Sequence, residues 1–445
     1  MVILRELDLI SGPFPWLLGS VVAAMLLVAI GRRPRWLMLG LVLAVSVLAV
    51  VTIRVLLPAS IDVARIPPSF YLWTIIPLVA IGISLTSWPT AGGRRRAVGI
   101  MAVPLAILFG ANEVNAWFAY LPTAADVAGA PIEQQISPAS LGNPVRAGVV
   151  LSVDIPATTS GFAHRPALVW LPPAAQRTPR PMLPVVMMLA GTPGAPKDLL
   201  RAADIAAIAS DYASGHGGVA PILVFPDHNG SFAGDTECVN SPKGNAETYL
   251  TVDVVRYVTE AFGSAGTRWG IFGYSEGGTC ALTLTLRHPE LFTAFVDIGG
   301  DLRPNLGGGA AREQATIDQL FDGSRTAWAA HDPQSLLQSR RYDGIAGRFI
   351  AGTADGPARR NMATLAPAAE AAGLDVTTIT ARGHHSFQLV TLVAPESLAW
   401  LAARLAPPQR NQTIANTSAS GVERLNRAVT IMEPGPKPVS VTVTP

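Results

Sequence analysis

Four long apolar runs open the chain, at residues 15–31, 37–58, 71–88 and 98–121. Each is close to the ~20 residues a bilayer-spanning helix requires. None carries the polar stripe that marks a helix half-buried in a soluble core. The pattern therefore predicts four transmembrane helices over residues 1–122. Three further spans follow the first, which argues against a cleaved signal peptide. Asn112, Glu113 and Asn115 fall late in the fourth run, where polar groups end a span at its outer interface rather than act at membrane depth.

Beyond residue 122 the periodicity changes. Residues 123–147 are rich in Ala, Pro and Gly and read as a linker. Residues 148–155 and 167–171 read as an antiparallel pair of strands joined by a turn-rich segment. Short, continuously apolar stretches follow at 183–189, 220–227, 269–272, 291–298, 347–352 and 375–380, as in strands buried on both faces. Helix-permissive segments alternate with them at 197–213, 248–262, 279–287, 358–372 and up to 405. This alternation predicts an α/β fold with a mostly parallel sheet over residues 148–406. Residues 228–247 form a polar loop above the sheet, and 302–345 a lid or cap. Residues 407–445 hold few large apolar groups and read as a disordered tail.

Composition sharpens the picture. The 445 residues are 49% hydrophobic and only 14% charged, with a mean hydropathy of +0.35. Residues 1–122 hold nine arginines against four acids, and the remainder 24 basic against 27 acidic residues. A mildly acidic second half argues against nucleic acid as a partner. Arg32, Arg33 and Arg35 lie between the first two runs, and Arg94, Arg95 and Arg96 between the last two. Basic loops stay in the cytoplasm, so everything after Leu121 is expected outside it. There, the only two cysteines, Cys238 and Cys280, could form a disulfide.

The chemistry centres on Trp269-Gly270-Ile271-Phe272-Gly273-Tyr274-Ser275-Glu276-Gly277-Gly278. An apolar strand runs into Gly-x-Ser-x-Gly and then a helix, the setting of a nucleophile elbow. Ser275 is expected on a strained turn with positive φ. Gly273 and Gly277 leave room where strand and helix approach. The N–H of Glu276 then points to where an oxyanion forms. A Gly-containing loop after the central strand, Ala190-Gly191-Thr192-Pro193-Gly194, offers the N–H of Thr192 as a second donor. Serine is a weak nucleophile and needs an adjacent base. His384 and His385 follow the last strand and compete for that role. The acid that would orient the base is Asp355, after a later strand, with Asp297 and Asp301 as rivals. The order Ser275, Asp355, His385 is that of an α/β-hydrolase triad. No metal-ligand spacing is present.

Residues 148–405 resemble the esterase D family of α/β-hydrolases, which also contains the mycolyltransferases of actinobacterial envelopes. The resemblance is carried by Ser160-Gly161-Phe162, Leu171-Pro172-Pro173, Leu189-Ala190-Gly191, Gly273-Tyr274-Ser275-Glu276-Gly277-Gly278 and His385-Ser386-Phe387. It implies an α/β-hydrolase fold and selects His385 as the base. It further implies an oxyanion hole from Thr192 and Glu276, and acyl-ester chemistry without cofactor. The family often has His-Gly where this chain has Ala190-Gly191, and Trp where it has Phe387. The expected protein is a membrane-embedded serine esterase facing away from the cytoplasm, acting on carboxylic esters of lipids or the cell envelope. An acyltransferase using the same triad is one alternative. A non-catalytic hydrolase-fold module on a membrane protein is the other.

Overall fold

The computed structural model describes residues 7–31, 35–56, 66–130, 132 and 148–406. The tail expected at 407–445, most of the 123–147 linker, and Arg32, Arg33, Asp62 and Arg65 lie outside the described residues.

Among the described residues, four helices are long and apolar enough to cross a membrane. They are α1 (Pro13–Ile30), α2 (Trp36–Leu56), α3 (Pro68–Ser87) and α4 (Gly93–Phe118). Trp16 is 80% exposed and Leu37 92% exposed, a surface suited to lipid and unsuited to water. α4 packs against α1 and α3, and α2 against α3. Their contact is built on small residues: a Cβ on Gly110 would lie 2.8 Å from the Trp73 carbonyl, the close approach typical of helices in lipid. Ser84 Oγ donates to the Gly99 carbonyl at 2.9 Å across α3 and α4. Arg95 donates to the carbonyls of Ala29 and Ile30 at the end of α1.

Asn112 and Asn115 serve the backbone. Asn112 Nδ2 donates to the Leu9 carbonyl at 2.9 Å, and Asn115 Oδ1 accepts the N–H of Leu121 at 2.7 Å. The start of α1 and the end of α4 are thereby tied together, with Asp8 bridged to Thr123.

The second part is an eight-stranded sheet. Its strands are β1 (Val149–Val153), β2 (Ala167–Leu171), β3 (Leu183–Leu189), β4 (Ile222–Phe225), β5 (Ser264–Tyr274), β6 (Phe292–Ile298), β7 (Ala346–Gly352) and β8 (Asp375–Ala381). The order is β1-β2-β4-β3-β5-β6-β7-β8, with β2 antiparallel to both β1 and β4 and every other neighbouring pair parallel. This is the expected α/β-hydrolase architecture. Helices cover both faces: α5 (Ile205–Gly215) and α9 (Phe387–Leu405) on one, α6 (Val254–Phe262), α7 (Glu276–Arg287) and α8 (Gly356–Ala371) on the other. Alternation along β3 sends Val185, Met187 and Leu189 into one layer and Val186 and Met188 into the other.

Two of the expected helices are interrupted. The helix expected over 197–213 breaks at Asp204, whose φ is 50°. The helix expected over 248–262 passes through a π-helical turn at Tyr249–Asp253. Asp253 there accepts the N–H groups of Thr159 and Ser160 at 3.0 and 2.9 Å. The 302–345 segment folds into Glu313–Phe321 and Arg325–Ala329, packed around Ile317, Leu320 and Trp328, and Pro333–Ser339, whose Leu337 joins the main core.

Asp297, at the end of β6, is buried, and burial pushes its carboxyl up to about 7. Its ordinary value is near 3.8. Between those values the folded chain holds a proton that the unfolded chain has released, so stability declines as pH rises through that window. Asp297→Asn keeps an acceptor for the Gly300 N–H and removes this decline. Its stability advantage over the parent should widen by on the order of 2 kcal/mol from pH 5 to pH 8 in denaturant titrations.

Candidate active site

Ser275 sits between the end of β5 and the start of α7 with φ 59° and ψ −122°. A side chain rarely adopts positive φ without support. The support comes from the sheet: the Ser275 N–H donates to the Ile298 carbonyl at 2.9 Å. It also comes from missing side chains. A Cβ on Gly273 would lie 1.8 Å from the Gly277 carbonyl, and one on Gly277 would lie 2.2 Å from that of Leu189. The turn exists because both positions are bare.

The structure brings three predicted side chains together. His385 Nε2 lies 2.9 Å from Ser275 Oγ, and His385 Nδ1 lies 2.7 Å from Asp355 Oδ2. Asp355 precedes α8 and also accepts the Ala358 N–H at 3.1 Å through its other oxygen, which fixes the carboxylate plane. Tyr274 stacks on the His385 ring at 5.1 Å. This is the arrangement in which a histidine takes a serine proton while a carboxylate holds its tautomer.

The rivals sit elsewhere. Asp297 lies under α7 and accepts the Gly300 N–H at 2.7 Å. Asp301 lines the cavity beside Ser275 and accepts from Asn305 at 3.2 Å. His384 points to the membrane helices: its Nε2 lies 2.9 Å from the Trp117 carbonyl. His288 and His331 both approach the buried Glu247, at 2.7 and 3.2 Å. No cluster of metal-ligating side chains occurs among the described residues.

The two predicted oxyanion donors flank Ser275. Glu276 opens α7, where the first N–H groups have no intrahelical acceptor. Gly191 touches the elbow: a Cβ there would lie 2.8 Å from Ser275 Cβ. The next residue, Thr192, is held by its side chain. Thr192 Oγ1 donates to Glu276 Oε2, and Asn229 Nδ2 donates to the same oxygen at 2.7 Å. A single carboxylate thus ties both candidate donors to one another.

The cavity holding Ser275 measures about 780 Å³. Asp235, Glu237 and Asn305 contribute a polar wall. Burial raises Glu237 well above the ordinary range, and burial together with the Glu276 charge raises Asp235 to about 7. The loop carrying them is joined to α7 by a Cys238–Cys280 disulfide, with Cα atoms 5.7 Å apart. A second wall is contributed by Ile66, Pro67, Phe70, Trp117 and Phe118, all from the membrane-helix region.

Sequence reasoning missed both walls. Asp235 and Glu237 lay in a loop expected to shape the site, but nothing in their spacing aimed them at it. Trp117 and Phe118 lay in a segment read as a span alone, and Phe70 just ahead of another.

Comparison with known proteins adds a family. The Esterase family model matches residues 163–408. An uncharacterised protein of Corynebacterium glutamicum is 31% identical over 407 residues, covering 86% of this chain and 93% of that protein. That similarity extends beyond the residues the family model matches. Among solved structures, an S-formylglutathione hydrolase of Agrobacterium tumefaciens is 21% identical, with a TM-score of 0.49 over 59% of this chain and 98% of its own. MPT51 of Mycobacterium tuberculosis is 14% identical, with a TM-score of 0.43 over 57% of this chain and 98% of its own.

The tether at Thr192 generates a test. Thr192→Val keeps the backbone N–H but loses the hydrogen bond to Glu276. A bond to a charged group is worth about 1.5–3 kcal/mol, so kcat for ester hydrolysis should fall at least tenfold with KM little changed. Steady-state kinetics on a nitrophenyl ester checks it.

Proposed function

The chain belongs to the Esterase family, and from that premise we propose that it is a membrane-anchored serine hydrolase of carboxylic esters, working outside the cytoplasm. Ser275 attacks the ester carbonyl as His385 takes its proton, and Asp355 stabilises the imidazolium that results. The tetrahedral oxyanion is held by the N–H groups of Thr192 and Glu276. Collapse expels the alcohol, protonated by His385, and leaves an acyl-serine. Water activated by the same histidine then releases the acid. The observation that carries this reading is the unbroken Asp355–His385–Ser275 hydrogen-bond chain on a positive-φ elbow.

Location rests on separate observations. The turn between α3 and α4, followed by Arg94, Arg95 and Arg96, lies at the end of the helices opposite the hydrolase part. The hydrolase part follows the far end of α4. Basic loops retained in the cytoplasm would place Ser275 on the other side. The Cys238–Cys280 disulfide is in keeping with an oxidising compartment. Acyl transfer is a second reading. It is favoured by the wall of Asp235, Asp301 and Asn305 beside Ser275, whose oxygens could hold an acceptor alcohol in place of water.

Ser275→Ala and His385→Ala should each lower kcat for nitrophenyl esters by at least about 10⁴ and abolish labelling by a fluorophosphonate probe. Retained turnover in Ser275→Ala would overturn the mechanism. Protease added to intact cells should digest the hydrolase part if it lies outside, and should spare it if it lies in the cytoplasm.

A further inference from the structure

The cavity around Ser275 is built from two halves of the chain. The hydrolase half supplies mainly polar groups: Thr192, Asp235, Glu237, Asp301 and Asn305. Its apolar contribution is limited to groups such as Leu306, Ala354 and Pro357. The large apolar surface comes from the other half. Phe70 is the third residue of α3, and Trp117 and Phe118 are the last two of α4. They form one aromatic cluster with Trp73: Phe70 lies 5.2 Å from Trp73, 5.3 Å from Trp117 and 5.7 Å from Phe118 between ring centroids.

These rings occupy the ends of helices long enough to cross a bilayer. Aromatic side chains at such ends sit where headgroups meet hydrocarbon. Below them α3 and α4 present apolar faces, with Leu72 and Leu108 both more than half exposed. Phe118 lines the cavity and is itself 36% exposed, so the aromatic wall reaches the outer surface of the helices.

The wall is also fixed relative to the reacting groups. Trp117 lies against His384 at 4.2 Å between centroids, and its carbonyl meets His384 Nε2 at 2.9 Å. His384 is the neighbour of His385. Two residues past α4, the Tyr120 hydroxyl donates to Asp198 at 3.0 Å, under the Arg201 guanidinium at 4.4 Å. The end of α4 is thus clamped to the hydrolase part at two points.

We propose that the ends of α3 and α4 form the acyl-chain subsite, so that the substrate is an ester of a bilayer lipid. Its chain lies along Phe70, Trp117 and Phe118 and stays in the leaflet, while its carbonyl reaches Ser275. The inference rests on the serine-ester reading and adds the substrate class. It gives the membrane helices a part in catalysis beyond anchorage. A chain drawn fully into water would expose every methylene, whereas a chain on this wall passes from hydrocarbon to aromatic surface. The polar wall then faces the ester's headgroup side.

The test uses the full chain in phospholipid nanodiscs, with nitrophenyl butyrate and nitrophenyl palmitate as paired substrates. The parent should prefer palmitate. Phe70→Ala and Phe118→Ala should each lower the palmitate-to-butyrate ratio of kcat/KM about tenfold, the factor expected for losing the apolar contact of one ring. Leu41→Ala, on an exposed face of α2, should leave the ratio unchanged. A phospholipid carrying a photoreactive group on its acyl chain should crosslink Ser275→Ala protein at residues 66–70 or 117–118. Butyrate preference in the parent, an unchanged ratio in both phenylalanine variants, or crosslinks confined to other surfaces would overturn the subsite while leaving the esterase standing. Absence of turnover of both esters, with Ser275 unlabelled by fluorophosphonate, would overturn both.

Discussion

The structure depends on one crowded point, where the Ser275 turn, the start of α7 and the loop after β3 meet with almost no side-chain volume between them. Gly273, Gly277 and Gly191 each occupy space that a single methyl group would close. The positive φ of Ser275 is held by a ladder bond to Ile298 rather than by local preference. The strain is affordable only because β5 lies in the middle of the sheet, paired on both sides. From this point the hydroxyl faces the His385 loop, and α7 begins at the cavity wall.

The second organising feature is electrostatic. The Glu276 carboxylate is buried and receives the Thr192 hydroxyl and the Asn229 amide. His228 Nε2 stands 3.5 Å away. Burial alone would keep that imidazole neutral, yet the Glu276 charge raises its pKa. Beside it, burial pushes the Glu237 carboxyl up, with the Asp235 and Glu276 charges adding to the effect, and burial together with the Glu276 charge pushes Asp235 up. The result is a cavity wall rich in oxygen. On the far side, Glu247 is held below the usual carboxylate range despite burial by His288, His331 and Arg287. That network anchors the end of α7 and leaves these histidines out of the chemistry.

The membrane helices and the hydrolase part meet through backbone and aromatic contacts rather than through a large charged interface. The carbonyls of Ala116 and Trp117 receive Gln388 and His384, so carbonyls at the end of α4 are met by the loop that carries His385 and by the start of α9. A helix end in need of donors and a catalytic loop in need of a fixed position solve each other's problem. The same contact places aromatic rings in the cavity wall.

Much was legible without coordinates. Four apolar runs of bilayer length without a polar stripe permit few structures other than spanning helices. The strand–Gly-x-Ser-x-Gly–helix pattern is legible because only bare positions allow that turn, and the chain order of Ser275, Asp355 and His385 narrows the candidates further. Local periodicity could not show the π-helical turn at Tyr249–Asp253, since Asp253 there receives the N–H groups of Thr159 and Ser160, which are distant in sequence. Nor could spacing decide between His384 and His385, two adjacent rings that point to different neighbours: one to the Trp117 carbonyl, the other to Ser275. The pairing of Cys238 with Cys280 and the crowding of Asp235, Glu237 and Glu276 are likewise properties of approach in space. Above all, the sequence separates Phe70 and Trp117 from Ser275 by more than 150 residues. Only the docking of α4 onto the His385 loop makes them walls of one cavity.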